Sequence, residues 1–397
     1  SASDSNAGTS EDAPLATFAA GINKIGPNVR VLFRRGDTWT ESLTGKTFNN
    51  TNGSPYMLGA YGAGNRPVIS LNVTSSGLTL KRKEGRIVDL ELINNINVLA
   101  HAANTHLVDV TIADCELENG LLLDAWLYGH RVAAIGTAFD GVGPSGEHCL
   151  RTPGLWKAAV AHCRMQYANS FRHELKLHAY YNVGGGANVT RYVVVADNVF
   201  RSSQTSWIVG IGPQDNQKDE RIFDLIFERN SVEAGAGAQT AVCIWAQRVT
   251  CRNNVTFSAT SGSGVGGWSY SIVRRGIEPT PHAVRLLNNT AFARGDTQGS
   301  AARLANFGGG GGHEVRNCLF AAPEVSSIAP VVYTAAAGAS VTASNNIESD
   351  APGFQNVAAN IFRLNSGSAA IGAGVITPVV RDDADAEVRT GSNDVGA

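Results

Sequence analysis

Ten times between residues 85 and 350 this chain repeats one short theme: a β-branched run, a turn carrying Asn or Asp, then another apolar residue. The theme reads RIVDLELIN (86–94), LVDVTIADCEL (107–117), RVAAIGTAF (131–139), KAAVAHCRM (157–165) and RYVVVADNVF (191–200). It continues as IFDLIFERNSV (222–232), RVTCRNNVTF (248–257), AVRLLNNTAF (283–292), EVRNCLF (314–320) and SVTASNNIES (340–349). Units recur every 20–35 residues or so, and strand-turn units of that period are the mark of a solenoid. Within each unit the apolar residues alternate over four to six positions, which is strand period, and Val, Ile and Phe supply the bulk. A helical solenoid would need a 3.6 period, and a leucine-rich repeat a fixed Leu/Asn grid, and neither is present. The expected fold is therefore all-β, a parallel β-helix of about ten coils. Asn198, Asn230, Asn254, Asn289 and Asn317 close their runs, where Asn tolerates left-handed backbone and bonds locally. Stacked coil upon coil, they are expected to form one ladder.

A length of 397 residues would normally imply two or three domains, but stacked coils bury their faces only against neighbours and escape that limit. We expect one domain over 1–397, with an N-terminal strand and capping-helix region at 1–45, repeat coils over 85–350 and a closing segment at 351–397. The helix is expected within 13–25, APLATFAAGINKI, where it would cover the first coil's open end. Only 17% of residues are charged and 44 are glycine, which suits many tight turns and few solvated helices. A net charge of −2 gives no basic domain for nucleic acid. No run of 18 apolar residues is present to span a membrane. The polar opening SASDSNAGTSEDAP has no signal-peptide character, so a secreted or periplasmic protein with its leader removed is expected. The six cysteines show no CxxC or zinc spacing and read mostly as small core residues, with room for one disulfide. No heptad or other trimer-forming segment is visible, so a monomer is expected.

Ionisable residues are densest in GEHCLR (146–151) and FRHELKLH (171–178). Residues two apart on a strand share a face. If Leu175 and Leu177 face the core with His173, then Arg172, Glu174, Lys176 and His178 face outward. One coil earlier, His148 and Leu150 would point inward while Glu147, Cys149 and Arg151 point outward. The two segments lie 25 residues apart, which puts Arg151 beneath Lys176 at a strand spacing of about 4.8 Å. Segment 147–178 carries five Arg or Lys against two acids, and stacked cations call for an acidic ligand. The same quartet would serve equally as a solvated face, and His148 and His173 as core or turn residues. Tyr180 and Tyr181, and Trp207, Trp245 and Trp268, could stack on sugar rings or simply pack. The insertion PQDNQKDE offers Gln214, Asp215, Asp219 and Glu220 as carboxylates for hydrolysis or oxygens that could hold calcium. GGGGG (308–312) lacks the Lys-Ser/Thr ending of a phosphate loop and reads as a turn.

The opening, SASDSNAGTSEDAPLATFAAGINKIGPNVRVLFRRGDTWTES, resembles that of the right-handed parallel β-helix proteins of the pectate-lyase-like superfamily. Its counterparts are "G-S-D-x-N-x-G-T", a Pro-plus-helix segment and "G-D-T-v-x-f-x-x-G-x-t-y". The closing segment, FRLNSGSAAIGAGVITPVVRDDADAEVRTGSNDVGA, is similar to that group's "f-x-l-x-x-g-S-p-a-i-d-x-G" followed by "D-x-x-g-x-x-R…D-i-G-A". The group includes polysaccharide lyases, uronate epimerases, glycosidases and phage tailspikes, so fold alone selects no reaction. The Asp-Pro-His-Asp motif of mannuronan epimerases is absent, which counts against epimerase. The region around 171–178 resembles the alginate- and chondroitin-cleaving β-helix lyases, which use a Lys in one coil and an Arg of an "l-x-l-R-H-G" strand in a later one. LKLHA departs from that pattern, with His178 near the arginine's place and Lys176 within the strand. The resemblance implies a lyase that cleaves an anionic, uronate-containing polysaccharide. Such a reaction needs a base, here Lys176 or His178 with His173 nearby, and cations on the carboxylate, here Arg151 and Arg172. Glu174, His148, Glu147, Tyr180, Tyr181, Gln214 and Asp215 would bind the substrate. The first alternative is a glycoside hydrolase using Glu174 with Asp215 or Glu220. The second is a non-catalytic glycan-binding or tailspike-like module.

Overall fold

The computed structural model describes residues 1–397 apart from 43–45, 52, 73–77, 94–95, 98–106, 121–124, 143–147, 167, 169–171, 180–188, 203–206, 214–219, 236–239, 259–267, 274–279, 293–302, 308–309, 322–330, 336–338, 350, 390–392 and 397. The short apolar runs form strands that pair with the matching run one coil away, always in parallel, and this stacks them into three long sheets. The first sheet runs from Arg30–Arg34 to Val341–Ser344, and the second from Thr38–Ser42 to Ile347–Ser349. The third runs from Ala125–Trp126 to Val331–Ala335; in the first coils its counterpart is a three-stranded sheet of Lys46–Asn50, Leu78–Arg82 and Ile96–Asn97. Each coil gives the second sheet one strand, and that sheet has 12 among the described residues, so these make twelve coils where about ten were expected. The stack starts at Arg30, well before the first legible repeat at 86, because the corners of the first two coils, 35–37 and 62–67, are longer and turn on the left-handed glycines Gly36 and Gly62. The all-β parallel helix inferred from periodicity is thus the fold observed.

Inward residues fill the tube in columns. Ile69, Leu92, Leu117, Phe139, Met165, Phe200 and Val232 stack along the second sheet, each at most 5% exposed. At the lower end a short helix, Phe18–Ile22, lies inside the expected segment 13–25. Thr17 caps its N-terminus by accepting from the Ala20 amide, and Glu41 accepts from the amides of Phe18 and Ala19. Phe18 then stacks on Phe33 at 5.4 Å, which seals the core as the amphipathic pattern requires.

The corner between the first and second sheets is a left-handed residue followed by a buried polar one. Asp197, Arg229, Asn253 and Asn288 have φ between 50° and 58°. Behind them Asn198, Asn230, Asn254 and Asn289 form the expected ladder. Each of the first three donates to the next: Asn198 Nδ2 to Asn230 Oδ1 at 2.9 Å, Asn230 Nδ2 to Asn254 Oδ1 at 3.0 Å, and Asn254 Nδ2 to Asn289 Oδ1 at 2.9 Å. Asn317 is not in this ladder. It takes the left-handed position itself, at φ 54°, and Cys318 occupies the ladder site between Asn289 and Asn346. Cys115 and Cys163 hold the same column in earlier coils, and all six cysteines are free and buried, so the disulfide that the sequence left room for is absent. Burial pushes the thiols of Cys115 and Cys163 up to about 11 and about 12.

Outside the tube, the second sheet changes character along its length. Early coils present Glu91, Glu116, Asp140 and Arg164, whereas later ones present Phe257, Phe292 and Leu319. These later residues form a second core with Phe354, Phe362, Ala370 and Val395 of the closing segment. Beyond it the chain makes an out-and-back clasp over the polar corner. Asn317 donates to Val375 O at 2.8 Å, Arg229 and Asn253 bond Asp382 at 2.7 and 3.0 Å, and the Gly396 amide returns to Asn317 O at 2.7 Å.

Candidate active site

The third sheet carries the candidate residues. Leu150–Thr152 pairs with Leu175–Leu177, and that strand pairs with Trp207–Ile211. Leu150, Leu175 and Val209 fill the core beside Thr152, Leu177 and Ile211, so the residue between each pair faces outward. Arg151 therefore lies directly against Lys176, as the 25-residue spacing indicated. Lys176 in turn lies against Gly210, which has no side chain to cover it. A Cβ at Gly210 would sit 3.3 Å from Lys176 Cδ and 3.1 Å from the His173 ring, and one at Gly212 would sit 2.8 Å from Trp245 Cβ. The two buried glycines leave a ledge above Lys176 that the His173 ring, the Lys176 stem and Trp245 Cβ occupy, and Lys176 Nζ reaches Pro213 O at 3.5 Å.

Alternation holds only within the short strands, and five expectations fail beyond their ends. Glu174 was expected outward and is fully buried, because the chain bends there and turns the carboxylate into the corner. Its Oε2 accepts from the Ala168 amide and the Cys149 thiol, both at 3.0 Å, so Cys149 is buried with it rather than facing outward. His178, also expected outward, is fully buried. His173 and His148 were placed inward with the leucines. Instead His173 lies on the ledge side, its ring edge against the outward position of Gly210, stacked between His148 at 4.9 Å and Trp207 at 5.6 Å. Arg172 is exposed and Lys176 half-exposed, as expected, while Arg151 is outward yet only 9% exposed.

Each buried imidazole is fixed by its partners. Arginine only donates, so the 3.1 Å contact from Arg151 Nε makes His178 Nε2 an acceptor and puts the ring proton on Nδ1. Nδ1 lies 3.7 Å from Glu220 Oε2, which also accepts from the Ala179 amide at 2.8 Å. Burial holds the His178 imidazole down to about 4, aided by Lys176 and Arg151 and opposed by Glu220, so the ring is neutral at pH 7. His148 is also held well below the ordinary imidazole value, by burial first and then by His173, Arg151, Lys176 and Arg172. Its Nδ1 accepts from the His173 amide at 2.9 Å, and His173 Nδ1 meets Trp207 O at 2.7 Å. That carbonyl can only accept, so His173 keeps its proton on Nδ1 and its Nε2 faces the ledge, 3.2 Å from the Cβ position of Gly210.

Glu147, Tyr180, Tyr181, Gln214, Asp215 and Asp219 lie outside the described residues, as does the Trp268 side chain. Trp245 is buried and packs, while the partly exposed Trp207 has one ring face against His173. Glu174 and Glu220 are both tied to backbone amides, and no group of three His, Cys, Asp or Glu among the described residues is arranged to hold a cation. Of the residues that could hold calcium only Glu220 is described, and Gln214, Asp215 and Asp219 lie outside the described residues. Sequence reasoning missed Gly210 and Gly212, although the alternation in VGIG (209–212), large inward and absent outward, carried the signal.

Strands in three parallel sheets around one core define a parallel β-helix. No family model and no curated protein matches the chain. Among solved structures it is similar to pectate lyase Pel9A, at 16% identity and a TM-score of 0.55, over 100% of this chain and 93% of that one. It is also similar to a rhamnogalacturonan lyase, at 12% identity and 0.47 over 98% and 93%, and to an alginate lyase from Paenibacillus sp. str. FPU-7, at 10% and 0.45 over 83% and 97%. The Pel9A likeness is one of fold, the parallel β-helix. Among the described residues, no helix is long and apolar enough to cross a membrane.

Proposed function

We propose that the protein is a polysaccharide lyase that cleaves an anionic, uronate-containing glycan by β-elimination, outside the cytoplasm where such polymers occur. The observation that carries this reading is the ledge itself. Arg151 and Lys176 stack on adjacent strands beneath a side-chain-free Gly210, with the His173 ring beside them. The arginine charges suit a carboxylate and the enolate-like charge that develops when its α-proton leaves. In this reading an uncharged Lys176 takes the α-proton and, once protonated, returns it to the leaving oxygen, while Arg151 and the exposed Arg172 face the carboxylate and His173 Nε2 lies beside Lys176. His178 is withdrawn from the base role, because its Nε2 lone pair is taken by Arg151 and the ring is buried. Pel9A, a pectate lyase, has this fold, which makes the reading compatible with the architecture. The hydrolase alternative loses Glu174 and Glu220, neither of which is exposed to a glycosidic bond.

Incubation with polygalacturonate, alginate, chondroitin and neutral glycans tests the proposal. Ultraviolet absorbance from an unsaturated uronate on an acidic polymer is expected. New reducing ends without that absorbance would overturn the reading in favour of hydrolysis, and saturable binding without products in favour of a binding module.

A further inference from the structure

The outer face of the first sheet carries a column of side chains that the ledge does not use. Trp156, Arg191 and Phe223 stand in register on three adjacent strands, Leu155–Ala161, Val189–Ala196 and Arg221–Glu228. The Arg191 guanidinium lies over the Trp156 ring at 4.3 Å and over the Tyr192 ring at 5.2 Å, and His130 stacks on Trp156 at 4.9 Å. Beside this column runs a line of left-handed residues, in successive coils Asp109, Arg131, Lys157, Tyr192, Asp224 and Arg248, with φ between 50° and 58°. Along that line Arg131 forks onto Asp109, and Arg248 onto Asp224. In the coils from Lys157 to Asp224, Lys157 and Arg221 are exposed and Arg191 is half-buried, and none of the three meets a carboxylate among the described residues. Tyr192 in their midst is 49% exposed.

Cations on adjacent strands repel one another unless an anion lies among them. A guanidinium held flat on an aromatic ring has lost little freedom left to lose, and its planar fork suits an acid group. We propose that Lys157, Arg191 and Arg221, framed by Trp156 and Tyr192, form a second anion-binding surface, which takes acidic sugars of a glycan chain at a distance from the ledge. The proposal rests on the lyase reading for the ledge's share of the chain, and on the patch alone for the charge of its ligand. All of these residues belong to the three coils that carry Arg151, Lys176 and Gly210. In the first of those coils only residues 152–155 separate Arg151 from Trp156, a span of at most about 18 Å, so one polymer can touch both places. A chain that is acidic at every repeat supplies an anion to each, and the half-exposed Tyr192 suits the sugar between. The net charge of −2 does not favour nucleic acid in its place.

Titration calorimetry with short oligomers and long chains of polygalacturonate, alginate and chondroitin sulfate, and with neutral dextran, tests the patch. At least one acidic glycan should bind wild type, more tightly as a long chain than as a short oligomer, and dextran should not. Arg191→Ala should weaken long-chain binding by about tenfold, the loss of one hydrogen bond to a charged group. The double variant Lys157→Ala with Arg221→Ala, which leaves the aromatic stack untouched, should weaken it further and flatten the salt dependence of Kd. Thermal melts of these variants should match wild type, because exposed cations without carboxylate partners contribute little to folding. Long-chain affinity equal to wild type in both Arg191→Ala and the double variant would overturn the proposal, as would the failure of every acidic glycan to bind. Tighter binding of duplex DNA or of phosphatidylglycerol vesicles than of any acidic glycan would also overturn it. Turnover reports separately on the lyase reading. If no acidic polymer yields unsaturated products while the variants lose long-chain affinity, that reading fails and the patch stands. If products form and the variants bind long chains as wild type does, the patch fails and the lyase reading stands.

Discussion

Lys176 and arginine differ in one respect that matters on this ledge: a guanidinium keeps its charge but does not give up its proton. Lys176→Ala should lower turnover by about 10²–10⁴-fold, the usual worth of a positioned base. Lys176→Arg should lose as much turnover while holding KM for the polymer near its original value. Initial rates on the polyuronate turned over, with thermal melts alongside, check both, and neither melt should move by more than a degree or two because the side chain is half-exposed. His178 sets a different expectation, for stability against pH. Above the ordinary imidazole value of 6.5 both folded and unfolded states are neutral. Between 6.5 and about 4 the unfolded chain takes up a proton that the folded ring refuses, so stability falls as pH drops through that window. The full loss is roughly 3 kcal/mol, and urea unfolding at pH 7 and pH 5 should already show part of it, reduced in His178→Gln. The pairing of Arg151 with Lys176 was legible in the sequence, since leucines two apart announce the inward face and the spacing announces the coil. The burial of Glu174 and His178 was not. Alternation describes extended backbone, and here that lasts only from Leu175 to Leu177 before the chain bends.

The polar corner teaches the same limit at the scale of an element. Runs ending in Asn-Asn, at 253–254 and 288–289, place one residue in the left-handed turn and the next in the buried ladder. Sequence shows that such a corner exists, because few other residues accept both roles. It does not show which Asn has which role, and at Asn317–Cys318 that ambiguity put the ladder one residue too early. Ladder asparagines are satisfied on every side: Asn254 accepts from the Asn230 amide at 2.9 Å and donates to Phe227 O at 2.9 Å as well as to Asn289. Asn254→Ala leaves several of these groups buried and unmatched, and should destabilise by about 2–4 kcal/mol in urea unfolding. Cys318→Ala should lose less, about 1 kcal/mol, since a thiol is a weak donor and acceptor, its carbonyl partner has another lone pair, and Asn289 Nδ2 also donates to Cys251 O.

Across the whole molecule, the closing segment completes a core that the solenoid leaves open. Phe362 meets Phe257, Phe292 and Phe354 at ring distances of 4.9, 5.2 and 5.4 Å. Phe362→Ala should therefore destabilise by about 3 kcal/mol, read as a lower urea midpoint, and bare the later strands to an apolar dye. The ledge lies on the third sheet, so turnover below the midpoint should be unchanged. The resemblance of the closing segment to its counterparts pointed to this region. What it covers was not legible, because nothing in a repeat says which coils wear an apolar exterior. The clasp has a consequence for lineage. A solenoid can ordinarily lengthen or shorten by duplicating or dropping a coil, since each contacts only its neighbours. Here both ends of the clasp lie at Asn317 and its tip at Arg229, with Asn253 and Asn288 held between. A coil gained or lost between Arg229 and Asn317 would leave the clasp too short or too long for its anchors, so variation in coil number among relatives that share the clasp should be confined to the N-terminal side of Arg229.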